Sequence, residues 1–151
     1  MQITSRFTIA VHIITAIDYF KDTETVTSNF LAGSVGANPV IVRRVMGKLK
    51  EAGIIDISQG KSGITLAKDL AEITFFDIYK AVDSVSGEGL FHFHERPNMD
   101  CPVGRNIHKA LDGHLLQVQG AMEDQMKQIT LADTVRAARQ EIDKEATKNN
   151  I

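Results

Sequence analysis

The groups best equipped for chemistry lie close together in the chain: His92, His94, Cys101 and His108, with Arg105 between the last two. Imidazole and thiolate together suit zinc, iron or copper, so Cys101, His108 and either His92 or His94 are candidate metal donors, if need be shared across two subunits. Their spacing matches no standard metal motif, and the expectation is that no metal is bound. A nucleophile and base pair is the second chemistry to weigh. Seven residues along one helix separate Cys101 from His108 by about 10 Å along the axis, beyond hydrogen-bond reach. With no phosphate-cradling glycine loop and no carboxylate pair in an acid–base setting, the chain is not expected to be an enzyme. The third chemistry is redox. Pro102 suits the first position of a helix, which puts Cys101 or Asp100 at its cap, where the helix dipole favours a thiolate. Asp100 works against this and Arg105, one turn on, works for it. The alternative is a packed, inert cysteine. His12 stands apart in an apolar amino-terminal stretch, where a core or interface histidine with a hydrogen-bond partner is expected and a sensing role is the alternative.

A second group of residues carries charge rather than reactivity. From Asn38 to Gly53 the chain reads as a short helix marked at both ends, by Asn38 as cap, Pro39 in the first turn and Gly53 at a left-handed exit. Ile41, Val42, Val45, Leu49 and Ala52 fall at helical spacing toward a core, and Val40, Arg43, Arg44 and Gly47 fall on the other side. Such a helix suits the major groove of DNA. Arg43 and Arg44 are candidates for base edges or phosphates, Val40 for a thymine methyl and Lys48 for a phosphate.

The flanking segments support that expectation. Upstream, residues 27–37 can form a helix of about two turns from a Thr27 or Ser28 cap, followed by a tight glycine-containing turn, which makes a helix-turn-helix. Downstream, Ile54-Ile-Asp-Ile-Ser and Ile64-Thr-Leu are short alternating runs joined through Gln59-Gly-Lys-Ser-Gly63, a hairpin with a basic tip that would serve as a wing. Ser28, Asn38, Gln59, Lys61 and Ser62 would fix the DNA backbone and the wing. From Ser34 to Lys68 there are six basic residues (Arg43, Arg44, Lys48, Lys50, Lys61, Lys68) against Glu51 and Asp56, a local charge of plus four in a chain of net charge minus two. Phosphate binding depends on such a local surface rather than on the total. A solvated basic face, or a winged domain used only for protein contacts, is the competing account.

Other elements must position these groups. A helix over about Ser5 to Phe20 is apolar around most of its circumference (Phe7, Ile9, Ala10, Val11, Ile13, Ile14, Ala16, Ile17) and should be buried between neighbours. Another over about Thr74 to Asp83 braces the winged domain. Ser84 to Asp100 reads as a long loop. Beyond it Val103, Ile107, Leu111, Leu115, Val118, Met122 and Met126 recur at steps of three or four, a stripe of more than six turns. So long a stripe is best buried against a second copy, which would also space two recognition helices for an inverted-repeat operator. A last helix from Leu131 to about Glu145 should trail into a fraying Thr-Lys-Asn-Asn end. The division expected is residues 1–83 as winged helix-turn-helix domain, 84–101 as a sensor-like loop, 102–128 as dimerisation helix and 129–151 as carboxy-terminal helix and tail. The fold class is mainly α with a small β-wing.

The 151 residues, 43% hydrophobic, fit one domain plus a helical extension. A single cysteine excludes an intramolecular disulfide, and no apolar run approaches a membrane span or signal-peptide core, so a cytoplasmic protein is expected. Taken in order, the amino-terminal Met-Gln-Ile-Thr-Ser-Arg-Phe-Thr-Ile-Ala-Val helix, the Asn38–Gly53 helix with its wing, and the late Ile129-Thr-Leu-Ala-Asp-Thr-Val135 string resemble the bacterial winged-helix regulators of the Rrf2 family, relatives of IscR, NsrR and CymR. The YwnA-like subgroup is the most similar. The resemblance covers nearly the whole chain. It implies a homodimeric transcription factor, usually a repressor, that binds double-stranded DNA. Many relatives hold an iron–sulfur cluster with three cysteines in the region of Cys101, and in some the first helix lends a ligand to the partner subunit. Here Cys101 resembles the middle cysteine and Arg105 stands near the place of the last. A conventional three-cysteine cluster is thereby excluded, and no cofactor is expected. Relatives commonly have an arginine before the first wing glycine, where this chain has Gln59, which puts minor-groove contact in doubt.

Overall fold

The computed structural model describes residues 3–58, 63–83 and 89–150. Among the described residues six α-helices and a two-stranded sheet follow one another as α1 (Ser5–Phe20), α2 (Ser28–Val35), α3 (Pro39–Glu51), β1 (Ile55–Ile57), β2 (Ile64–Leu66), α4 (Phe75–Val82), α5 (Pro102–Met126) and α6 (Leu131–Asn149), with a 3-10 turn at Leu70–Glu72 before α4. The strands pair antiparallel, Ile55 opposite Leu66 and Ile57 opposite Ile64. This is a winged helix-turn-helix carrying one long helical arm.

Local capping chemistry sets most of the helix starts. Thr4, Thr27, Asn38, Thr74 and Thr130 each accept a hydrogen bond from a backbone amide two or three residues on. Thr74 with Asp77 and Thr130 with Asp133 form full capping boxes, satisfying two otherwise orphaned amides each. The two boxes lie side by side. Thr74 and Thr130 form an isolated antiparallel bridge, in which the Phe75 amide donates to Ile129 O at 2.9 Å and the Leu131 amide to Ile73 O at 2.8 Å.

The core gathers around α1, whose Phe7, Ala10, Ile13, Ile14 and Ile17 meet Leu31 of α2, Val42, Val45, Met46 and Leu49 of α3, Ile78 of α4 and Leu131 of α6. The rings of Phe7 and Phe75 meet edge to face at 5.3 Å. His12 lies outside this core, exposed at the rim of a cleft that α1 forms with α2 and α6, and it has the expected hydrogen-bond partner, its Nε2 lying 3.0 Å from Ser34 Oγ.

Two further expectations need correction. On α3 the buried band is Val42, Val45, Met46 and Leu49, while Ile41 and Ala52 are exposed because both fall on one edge of that band, short of the neighbouring helices. The carboxy-terminal helix extends past Glu145 to Asn149 and docks on α1. Leu131 and Val135 are buried, and Arg139 reaches back to α1, its Nη2 2.8 Å from Asp18 Oδ2, with its guanidinium over the Tyr19 ring at 5.2 Å. The Thr-Lys-Asn-Asn end is helical through Asn149, with the Thr147 hydroxyl donating to Asp143 O.

Candidate nucleic-acid interface

Residues 36–38 turn α2 into α3. Gly36 takes φ +69°, a left-handed cap that lets its amide donate to Ala32 O at 3.0 Å. The cap of α2 is Thr27, whose hydroxyl accepts from the Phe30 amide, so Ser28 is the first helical residue and is half-buried. Asn38 Oδ1 accepts from the Val40 amide at 2.9 Å and Pro39 fills the first position of α3, where no donor is missed. The stiff start of α3 therefore follows directly from three residues.

With Val42, Val45, Met46 and Leu49 inward, α3 turns Val40, Arg43, Arg44, Lys48 and Lys50 to solvent. Val40 is 52% exposed, an apolar tip on a basic surface. Gly47 lies a helical repeat below it, with nothing near the place of an added Cβ. Arg43 and Arg44, equivalent in the sequence, diverge here. Arg43 Nη2 lies 3.4 Å from Asn29 Oδ1 on α2, whereas Arg44 and Lys48 line a groove whose far wall includes Arg6 of α1. Lys48 also pairs with Glu51 at 3.2 Å. Sequence reasoning missed Asn29 and Arg6. The available signal for Arg6 was a cation in the first turn of a helix that has no acidic residue there.

The wing is anchored beside this face. The Ile64 amide donates to Val26 O at 2.9 Å, and Gly63, at φ +64°, sits so close to that carbonyl that a Cβ would collide with it. The expected wing contacts Gln59, Lys61 and Ser62 lie outside the described residues.

The profile of the Rrf2 family, described as iron-dependent transcriptional regulator, matches residues 3–137. The chain belongs to the Rrf2 family. Over 134 residues it is 41% identical to YwnA of Bacillus subtilis, described as an HTH-type transcriptional regulator, a match covering 89% of this chain and 97% of YwnA. Among solved structures, a crystal structure of a protein described as DNA-binding superposes with a TM-score of 0.68 at 36% identity, covering 86% of this chain and 98% of the other. A transcriptional regulator from Lactobacillus plantarum shares the fold with a TM-score of 0.75 at 23% identity, over 97% of both chains. The family and the relatives are transcriptional regulators, not enzymes.

The family description raises iron, and the donor set of this Rrf2 protein can be tested against it. Residues 89–100 run back along α5. The Leu90 amide donates to Gln119 Oε1 at 2.8 Å, Phe93 and His94 meet the His108 ring at 4.4 and 5.3 Å between centroids, and Asn98 O accepts from the Cys101 amide at 3.2 Å. His94 and His108 are thus brought together, edge to face, with His108 Nε2 buried and without a hydrogen-bond partner. His92 is exposed, as is His12 at the far side of α1. Among the described residues no three of His, Cys, Asp and Glu group as metal donors. The described residues do not fit an iron centre held within one chain.

Cys101 is the cap residue of α5, and the amides of Gly104 and Val103 hold its thiol below the ordinary range. This depression comes from the backbone at the helix start; Arg105, expected to add to it, instead donates from Nη1 to Met99 O at 3.2 Å. Asp100 is exposed, and its amide donates to Asn98 Oδ1.

Along α5 no residue is buried. Val103 is 68% and Val118 53% exposed, Leu111 is exposed, and Ile107 and Leu115 are half-covered. Met122, assigned to the same stripe, instead packs with Met126 against the core of its own chain, because this end of α5 lies beside α4. Among the described residues no helix is long and apolar enough to cross a membrane.

Proposed function

We propose that this Rrf2 protein is a homodimeric, sequence-specific DNA-binding regulator that acts in the cytoplasm as a repressor at an inverted-repeat operator. The observation that carries the proposal is the exposed side of α3, a capped helix presenting Val40, Arg43, Arg44 and Lys48 beside a wing. Arginines can read guanine edges bidentately, Val40 can meet a thymine methyl, and lysine neutralises phosphate. The DNA-binding description of the relative at 36% identity points the same way. Support for a homodimer is the incompletely covered stripe from Val103 to Val118, with Val103, Leu111 and Val118 exposed, since an apolar face left to water is costly and a two-fold pairing of two such arms removes the cost. The proposal includes no resident metal or cluster. It assigns the response to an oxidant or electrophile at Cys101, which caps the arm and would alter the spacing of the two α3 helices.

Selection of fragments from the source genome with the purified protein at near-physiological salt tests this. Enrichment of an inverted repeat is expected. Retention of DNA without sequence preference, or none, sinks the operator claim and favours a winged domain that contacts proteins.

A further inference from the structure

The exposed side of α3 has two flanks. Arg43 leans toward α2, where Asn29 meets it. Arg44 and Lys48 lean the other way, into a groove of about 530 Å³ whose opposite wall is Ser5 and Arg6 at the start of α1. Three cations from two helices line this groove against a single carboxylate, Glu51, which Lys48 already holds at 3.2 Å. The groove is therefore positive. Arg6 sits in the first turn of α1, at the positive end of the helix dipole. The Asp83 carboxylate beside that helix start is buried and accepts from the Thr4 amide and hydroxyl, whereas Arg6 is exposed and lines the groove.

The dimensions of a duplex say which anion such a groove suits. An α-helix with its side chains is about 10–12 Å across and the major groove about 12 Å wide. When α3 lies in that groove, the phosphate ridges of the two strands must pass along its two flanks. We propose that the Arg6–Arg44–Lys48 groove seats the phosphodiester backbone of the strand on the α1 side, so that the start of α1 is a third DNA-contacting element beside α3 and the wing. Arg44 and Lys48 then act as phosphate contacts, Gly47 leaves room between them in the same groove, and base discrimination falls to Val40 and Arg43. This rests on the proposal that α3 enters the major groove, and the test separates the two.

The experiment measures the affinity of the full chain for its operator and for a random duplex across a salt series. It compares wild type, Arg6→Ala, Arg6→Lys, Arg43→Ala and Lys144→Ala, the last an exposed cation on α6. Arg6→Ala should weaken both duplexes alike, roughly three- to thirtyfold, and lower the slope of log affinity against log salt by about 0.9, the value for one phosphate contact. Arg6→Lys should keep the slope, and Lys144→Ala should change nothing. The Tm of Arg6→Ala should stay close to that of wild type, since Arg6 is exposed; a collapse in Tm would mark Arg6 as structural and overturn the proposal. A wild-type slope and affinity for Arg6→Ala, with operator preference lost in Arg43→Ala, overturns the groove and leaves α3 in place. A loss confined to the operator also overturns it. If Arg43→Ala retains full operator affinity, the α3 proposal falls and the groove with it.

Discussion

Cys101 stands at the start of α5 without a cap hydrogen bond to its side chain, near enough to the first backbone amides to feel their positive ends. The amides of Gly104 and Val103 favour the charged form, so the folded chain holds the thiol below its ordinary value. The sign follows directly. The deprotonated form is preferred in the folded state, so iodoacetamide should reach half-maximal rate at a lower pH with folded protein than with the urea-unfolded chain. Equal midpoints would remove the amide argument. Peroxide or an electrophile should then change operator affinity in wild type and leave Cys101→Ser unaffected, and an equal response of the two would dissociate Cys101 from sensing. The position of Cys101 was legible because Pro102 announces a helix start. The role of Arg105 was not, since its long side chain turns to Met99 O, and spacing along a helix does not set the direction of a flexible side chain. The same limit applies to Arg43 and Arg44, which lean apart toward different neighbours.

Elements here are joined by a few specific contacts, and two of them make predictions. Gly63 ties the wing to the strand-like segment before α2, at φ +64° and with Val26 O in the place a Cβ would take. Gly63→Ala should therefore cost about 1–3 kcal/mol, read from urea denaturation, and should weaken DNA binding by displacing the wing. A variant as stable as wild type would show that the turn relaxes freely. The second contact joins α6 to α1. Burial pushes the Asp18 carboxyl up, but hydrogen bonds from Arg139 and Lys21 outweigh that and hold it below its ordinary value of 3.8. A carboxyl lowered by folding contributes stability that is complete above its unfolded value and is lost as pH falls through the folded one. Arg139→Ala should thus lower Tm by about 2–8 °C at neutral pH, for a charged hydrogen bond half open to solvent, and the gap to wild type should narrow as pH falls below the ordinary carboxyl value and through the lowered folded one. A gap independent of pH would assign the effect to Tyr19 packing alone. Caps and turns were legible in the sequence because Thr27, Asn38, Thr74 and Thr130 act on amides two or three residues away. The docking of α6 was not, because Asp18 and Arg139 lie 121 residues apart and nothing local marks them as partners.

At the scale of the molecule the long arm divides into two parts with different neighbours. Its far end, at Met122 and Met126, is covered by the core of its own chain. From Val103 to Val118 the stripe faces outward, with Val103 more exposed than any buried-side position of α1 or α3. The periodicity was legible as steps of three and four residues, but periodicity does not say which chain covers a stripe; only the packing of α4 against one end of α5 divides it. A second copy laid on the outward part would bring two α3 helices into one assembly and make a two-fold operator a bivalent target. Binding the second half-site would then be intramolecular, with the gain in affinity that effective concentration gives. Val118→Glu, a charge placed on an exposed helix position, should leave the fold of the monomer intact while opposing that pairing. Sedimentation at micromolar concentration should show the variant as a monomer and wild type as a dimer. Far-UV circular dichroism should stay unchanged, and operator affinity should fall by more than about tenfold with general DNA affinity per monomer retained. If Val118→Glu sediments as wild type does and binds the operator equally well, this stretch of α5 is not the contact between subunits, and the spacing of the two α3 helices must be set elsewhere.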